Sequence, residues 1–235
     1  MLANPDNSGS WPLFQFRGIT VLLHWSWILV AIYQIDQSRG AYPHFGWDIA
    51  QYLSLFAIVL LHEFGHAFAS RQVGGTANRI LLWPFGGIAY VNTPQRPGAY
   101  LWAIAAGPLV NVLLLPILYG LSKYFLAVDD TDMLTPLAYF WFILFWINNM
   151  LLIFNLLPVL PMDGGQIFRA LLWYKLGPIK SLRIAAWTGL VLGGCAIAVA
   201  LFYGNFWMAL VIGLMVSQSW GTIKAIRPQL PPSPH

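Results

Sequence analysis

The residues best suited to chemistry stand in one apolar stretch that reads IVLLHEFGHAFASRQ. His62 and His66 are four residues apart, so on a helix their side chains lie on one face, one turn above the other. Two imidazoles at that spacing can coordinate one metal ion, and neutral imidazole is a good ligand for zinc. Glu63 follows the first histidine, where its carboxylate can reach a water molecule at the metal rather than the metal itself.

Glu63 is the only glutamate in the chain of 235 residues. An ionisable group within a spanning helix costs about 2.5–3.5 kcal/mol on insertion scales. A sequence without any other glutamate places this one between two histidines in an apolar helix, which favours a functional role for Glu63. The alternative is a chance match, in which the two histidines only form hydrogen bonds with neighbouring helices.

A catalytic zinc site needs a third protein ligand and leaves its fourth position for water. Asp163 is the natural candidate, because it follows the fourth apolar segment in NLLPVLPMDGG while most other aspartates fall in predicted outer loops. Pro158 and Pro161 interrupt helical hydrogen bonding there, and unwound backbone at membrane depth is tolerated only inside protein or along a cavity. An Asp before Gly-Gly can instead cap a helix. Beside an incomplete zinc site, we favour ligation.

The composition indicates that these residues lie in a membrane. The chain is 58% hydrophobic and 9% charged, whereas an ordinary soluble domain carries about 25% charged residues. Its 12 Trp and 10 Tyr supply rings that settle at membrane interfaces. The pI of 9.3 does not indicate nucleic-acid binding, because the basic residues lie at the ends of apolar segments rather than in one patch.

Six segments approach the roughly 20 apolar residues that a spanning helix needs. They cover residues 18–35, 48–70, 99–125, 134–157, 181–203 and 205–222. A shorter helix should start at the DGG sequence and end near Gly177 and Pro178. We therefore expect an all-α polytopic membrane protein, with one transmembrane core over residues 1–235 and a proline-rich tail at 227–235.

The stretch NRILLWPFGGIAYVNT, near residues 78–93, is apolar but too short and broken to span. It predicts a membrane-embedded β-hairpin or re-entrant loop. Gly86 and Gly87 permit close approach of another backbone, so this segment could offer a strand edge to an unwound peptide substrate. A plain packing element is the alternative.

Basic residues predict the orientation. With both termini in the cytosol and six crossings, ten Lys and Arg residues fall inside, and only Arg39 and Lys123 fall outside. We expect an integral membrane protein with cytosolic N- and C-termini, in the plasma membrane if the source is bacterial.

These motifs together resemble the site-2 protease family of intramembrane zinc metalloproteases, in its compact prokaryotic-type branch. The resemblance rests on the HEFGH sequence, on NLLPVLPMDG from Asn155 to Gly164, and on GPLVN from Gly107 to Asn111. It covers nearly the whole chain as the family's membrane core. Many members also carry CBS or PDZ modules, and neither is expected within these 235 residues.

The resemblance implies one zinc ion held by His62, His66 and Asp163, with Glu63 as the general base. It also suggests that Asn155 polarises the scissile carbonyl, although Asn155 could instead cap the end of a helix. The implied partners are a transmembrane protein substrate and the lipid bilayer, with no nucleic acid. A regulatory membrane partner and the oligomeric state stay open.

Two other functions fit parts of the pattern. A membrane metal transporter also uses intramembrane His and acidic residues, but it should place coordinating groups at successive depths. An inactive metal-binding scaffold should have lost Glu63 or a ligand, and all four residues are present. The sequence therefore favours an active zinc metalloendopeptidase.

Overall fold

Long uncharged runs become helices here, because a helix satisfies its own backbone hydrogen bonds where water is absent. The structure, a computed structural model, describes residues 9–38, 40, 42–83, 86–128 and 135–226. Within these ranges the chain forms six helices and four strands. In chain order they are β1 Ser10–Phe16, β2 Ile19–His24, α1 Trp27–Ser38, α2 Phe45–Gln72, β3 Thr76–Trp83, β4 Gly86–Asn92, α3 Pro97–Val128, α4 Pro136–Leu156, α5 Asp163–Phe202 and α6 Phe206–Ile226.

Four of these helices, α2 to α5, are long and apolar enough to cross a bilayer. Their lengths are 28, 32, 21 and 40 residues, respectively. Helix α1 has 12 residues and therefore reaches only about 18 Å, less than the roughly 30 Å of a hydrocarbon core. The expectation of six spanning helices is thus supported for four segments of the described chain.

The first predicted segment, 18–35, is not one helix. Its beginning, Ile19–His24, is strand β2, which pairs antiparallel with β1 and parallel with β3. The β-branched residues Ile19, Thr20 and Val21 favour the extended backbone, and pairing on both sides satisfies it. The described chain is mainly helical, as expected, but a small four-stranded sheet in the order β1-β2-β3-β4 accompanies the helices, and the sequence predicted only its β3–β4 hairpin.

The hairpin predicted near residues 78–93 is confirmed. Strands β3 and β4 pair antiparallel from Thr76↔Asn92 to Trp83↔Gly86, and the connection at 84–85, which includes Pro84, lies outside the described residues. The proline-rich tail at 227–235 also lies outside them. Strand β4 is the last strand in the sheet order, so it is an edge strand.

The chain divides into two compact units, residues 1–94 with 106–152 and residues 95–105 with 153–235. We call them the first and second units. In the first unit, alternate residues of β2 and β3 are fully buried and pack with α2, as one face of a strand should. This core contains Ile19, Val21, Ile80 and Leu82 from the sheet and Val59, Phe64 and Ala67 from α2.

In the second unit, α5 packs along α6. The regular helix breaks at Gly177, which has φ 75° and ψ 172°, a conformation that glycine adopts without a steric penalty. The predicted helix end near Gly177 and Pro178 is therefore confirmed. A small core of Leu160, Ala185 and Ala186 connects α5 with the loop that precedes it.

Candidate metal centre

Two histidine rings meet on the buried face of α2. His62 and His66 are 3% and 7% exposed, and their ring centroids lie 4.8 Å apart at an interplanar angle of 80°. The helix runs without interruption from Phe45 to Gln72, so the four-residue spacing places the two side chains on one face, as the sequence predicted. Their Nε2 atoms are 3.1 Å apart.

The opposite nitrogen of His62 has its own partner on α3. Its Nδ1 lies 2.6 Å from Oδ1 of Asn111, and because an amide oxygen only accepts, Nδ1 donates. The lone pair of His62 is therefore on Nε2, the atom that faces His66. Asn111, the last residue of the GPLVN motif, therefore joins α3 to the helix of the histidines.

Gly107 of α3 leaves the space beside the two rings open. A Cβ at this position would overlap Nε2 of His66 and would lie 2.8 Å from Nε2 of His62. Similarly, a Cβ on Gly65 of α2 would lie 2.6 Å from the carbonyl oxygen of Ala106 in α3. Small residues on both helices thus let the two backbones approach closely, as is common between helices in lipid.

This local geometry fits zinc. Two nitrogens bound tetrahedrally at 2.0–2.1 Å would be about 3.3 Å apart, close to the 3.1 Å between the two Nε2 atoms. His62 presents its lone pair on the correct atom, and Gly107 keeps side-chain atoms away from it. Glu63, on the same helix, is 5% exposed, so a carboxylate is buried next to the pair.

Asp163 lies in the second unit, as the first residue of α5. The cap position of that helix is Met162, so Asp163 belongs to the first turn and is not the N-cap that the sequence left as an alternative. A carboxylate in the first turn is favoured by the helix dipole. Its side chain is partly buried.

Side-chain hydrogen bonds to backbone carbonyl oxygens hold the loop before Asp163. Ser219 of α6 donates to the carbonyl oxygen of Leu160 at 2.9 Å, and the Gln166 amide donates to that of Pro161 at 3.1 Å. The following Gly164 and Gly165 have no room for a side chain: a Cβ on either would collide with backbone atoms between residues 156 and 160. The Gly-Gly pair therefore lets the chain fold back over the end of α4.

The remaining predicted residues lie on other elements of the fold. Asn155 is partly buried in the last turn of α4, in the second unit. Gly86 and Gly87 begin β4 in the first unit and pair with Trp83 and Leu82. The sequence did not point to Asn148 of α4, whose side chain is fully buried and bonded to Asn111. The available signal was a polar amide inside an apolar helix.

Comparison with known proteins decides the family. The model of peptidase family M50 matches residues 50–135 and 125–201. The chain belongs to peptidase family M50. The resemblance to site-2 proteases is thereby confirmed, and the matched residues of this M50 chain include the two histidines, Glu63 and Asp163.

Individual relatives agree. The M50 chain is 36% identical to a zinc metalloprotease of Methanocaldococcus jannaschii over 74% of its own length and 49% of the relative's. It is 32% identical to the stage IV sporulation protein FB of Bacillus subtilis over 70% of its own length and 52% of the relative's. The chain thus spans about half the length of the curated relatives it matches.

A solved structure is also similar. The site-2 protease from Methanocaldococcus jannaschii has a TM-score of 0.61 and 28% sequence identity, with 91% of this chain and 95% of that chain covered. The M50 chain therefore shares both fold and family with a site-2 protease.

Proposed function

We propose that this chain is an intramembrane zinc metalloprotease that hydrolyses peptide bonds within or near transmembrane segments of membrane proteins. The observation that carries the proposal is the pair of buried imidazole nitrogens, 3.1 Å apart, beside buried Glu63. These residues lie on α2, one of four helices long and apolar enough to span a bilayer. Membership of family M50 supports the same activity.

His62, His66 and Asp163 are the proposed ligands of one zinc ion. Two imidazoles and one carboxylate are a donor set that suits zinc, and catalytic zinc sites commonly have three protein ligands and one open position. Asn111 supports the assignment, because a ligating histidine usually donates its other ring N–H to an oxygen.

In the proposed reaction, Glu63 accepts the proton of the attacking water as the oxygen bonds to the peptide carbonyl carbon. When the C–N bond breaks, Glu63 passes that proton to the leaving amine. The Asn155 amide donates to the carbonyl oxygen as negative charge develops there; its position in the last turn of α4 also suits a structural role at the helix end. Zinc supplies the Lewis acidity that makes water a nucleophile near neutral pH.

The β4 edge is the proposed site for the unwound substrate. A helix hides its backbone carbonyls, so the scissile segment must become extended before attack. A peptide added to a sheet edge gains main-chain hydrogen bonds, and β4 is the last strand in the sheet order. Gly86 and Gly87 are its first residues and carry no side chains that would hinder approach.

The distribution of basic residues supports an orientation with both termini in the cytosol, and similarity to relatives from Methanocaldococcus jannaschii and Bacillus subtilis supports a location in the plasma membrane. Arg71 lies in the last turn of α2, on the predicted cytosolic side, and its guanidinium donates to the carbonyl oxygens of Arg17, Gly18 and Ala77. Arg71 therefore joins the end of the histidine helix to the β1–β2 turn and to strand β3. Transmembrane proteins are the proposed substrates, and a regulatory membrane partner is compatible with this arrangement.

Cleavage of single-span membrane peptides by the purified chain tests the function. Glu63→Gln should retain zinc and lose about 10²–10⁴-fold in rate, the contribution expected of a general acid–base. Asp48→Asn is the matched control, because it neutralises another buried carboxylate of α2 about 22 Å away along the helix. It should bind zinc and cleave like wild type.

Three results would contradict parts of the proposal. Wild-type protein without stoichiometric zinc would remove the metal site. Cleavage that survives in Glu63→Gln would remove the general base. Zinc flux into liposomes without any cleavage would favour the transporter.

A further inference from the structure

Two fully buried asparagines lie behind the histidine pair, and the reaction above uses neither as a chemical group. Asn111 of α3 and Asn148 of α4 are both 0% exposed. Burying an amide without hydrogen bonds costs about 1–3 kcal/mol in proteins, and α4 is otherwise strongly apolar. Such groups persist when they are fully paired.

The two side chains form a directed chain of hydrogen bonds. The Nδ2 of Asn148 donates to the backbone oxygen of Asn111 at 3.0 Å. The Nδ2 of Asn111 donates to Oδ1 of Asn148 at 2.8 Å. The Oδ1 of Asn111 then faces Nδ1 of His62 at 2.6 Å.

The orientation of both amide groups follows from the hydrogen bond between Asn148 and the backbone. A backbone carbonyl can only accept, so the amide nitrogen of Asn148 must face it and the amide oxygen must face Asn111. That oxygen also only accepts, so Asn111 must turn its own nitrogen toward Asn148 and its oxygen toward His62. An asparagine alone could present either atom to the ring. With Asn148 in place, only the oxygen is compatible.

We propose that Asn148 is a positioning residue that sets the tautomer of His62 through Asn111. The consequence is a proton on Nδ1 and a lone pair on Nε2, the atom that faces His66. This inference rests on the proposed zinc site, where Nε2 is the ligating atom. Without Asn148, the Asn111 amide can rotate and offer its N–H groups to the ring, and the lone pair then moves to the wrong nitrogen.

A simpler role would be a bond that holds α3 against α4. Such interhelical hydrogen bonds contribute about 0.6 kcal/mol on average within membranes. That role predicts a loss of stability in Asn148 variants but no change in the tautomer of His62. It also predicts that a second change at Asn111 cannot restore what is lost.

The test measures zinc affinity by chelator competition on the purified full chain. Asn148→Leu should weaken zinc binding by about 10–100-fold, the usual effect of removing an outer partner of a ligand. Asn149→Leu is the matched control, because it makes the same change at the adjacent, only partly buried position of α4. Asn149→Leu should bind zinc like wild type.

A double variant distinguishes an effect on the orientation of the Asn111 amide from an effect on helix packing. An aspartate at position 111 presents an acceptor oxygen to His62 whichever way it turns, so it does not need Asn148. Asn111→Asp combined with Asn148→Leu should therefore bind zinc within a few-fold of Asn111→Asp alone. A double variant that loses as much affinity as Asn148→Leu would overturn the proposal.

A second readout does not depend on zinc. The ¹⁵N shifts of His62 in the metal-free protein, assigned by comparison with His62→Gln, report which ring nitrogen carries the proton. Wild type should show protonated Nδ1, and Asn148→Leu should show a mixture. Asn148→Ala, which adds no bulk, carries the same expectation if Asn148→Leu does not fold. An unchanged tautomer would refute the proposed role of Asn148, whereas absence of zinc from wild type would refute only the proposed function.

Discussion

Two regions carry the proposed metal-binding residues, and they hold them in different ways. In the first unit, regular helices position His62 and His66, and side chains from α3 and α4 determine which ring nitrogen is available. In the second unit, Asp163 follows an irregular loop whose backbone carbonyls are held by Ser219 and Gln166. To bind a metal, an imidazole must have the correct ring position and also the correct tautomer, because only one ring nitrogen carries a lone pair. A carboxylate has two equivalent oxygens, so only its position matters.

The largest effect should come from filling the space beside the histidines. A Cβ in Gly107→Ala would overlap Nε2 of His66 and lie 2.8 Å from Nε2 of His62. Because the intrusion is at the proposed ligating atoms, we expect a loss of zinc affinity above the roughly 100-fold upper range for outer partners. Zinc content after dialysis and peptide cleavage should both fall.

Gly120→Ala is the control for that experiment. Gly120 lies on the same helix, and a Cβ there would meet nothing within 4 Å. Alanine is about 1 kcal/mol better than glycine in a helix interior, so this variant should be at least as stable as wild type. Wild-type zinc content in Gly107→Ala would show that the side of the pair facing α3 is not where the metal binds.

An intermediate effect should follow from crowding the support of the Asp163 loop. A Cβ in Gly189→Ala would lie 2.8 Å from Oγ of Ser219 and 3.2 Å from the backbone nitrogen of Leu160. Overpacking of this kind costs about 1–3 kcal/mol, so the melting temperature and zinc affinity should both decrease. Gly194→Ala on the same helix adds a Cβ in open space and should change neither; equal behaviour of the two variants would contradict the close contact.

The two regions also differ in how far sequence alone predicted them. The histidine helix was predicted because the spacing and polarity of its residues are local signals: two histidines four residues apart in an apolar run specify one face of one helix. The hairpin at β3 and β4 and the break at Gly177 were predicted for the same reason, since turn residues act on their own neighbours. Helices α2 to α4 lie within a few residues of the predicted segments.

What sequence missed depends on partners far along the chain. Ile19–His24 became a strand rather than the start of a helix because it pairs in parallel with residues 79–82; its β-branched residues favour an extended backbone but do not specify that distant partner. Asn148 and Ser219 are polar residues in mainly apolar helices, and their roles follow from acceptors 37 and 59 residues away. A polar residue in such a helix signals a cost without naming the partner that offsets it.

The smallest effect should come from removing one hydrogen bond to the Asp163 loop. Ser219→Ala loses the donor to the Leu160 carbonyl oxygen, which is buried at that contact. One such bond contributes about 1 kcal/mol, so zinc affinity and cleavage should fall by about five-fold, with the tautomer of His62 unchanged. Ser217→Ala is the matched control, because its hydroxyl donates to Leu214 within α6 itself and is exposed. If Ser219→Ala altered the His62 ¹⁵N shifts as strongly as Asn148→Leu, the contacts that hold the Asp163 loop would also affect the tautomer of His62. The proposed difference between the two regions would then be wrong.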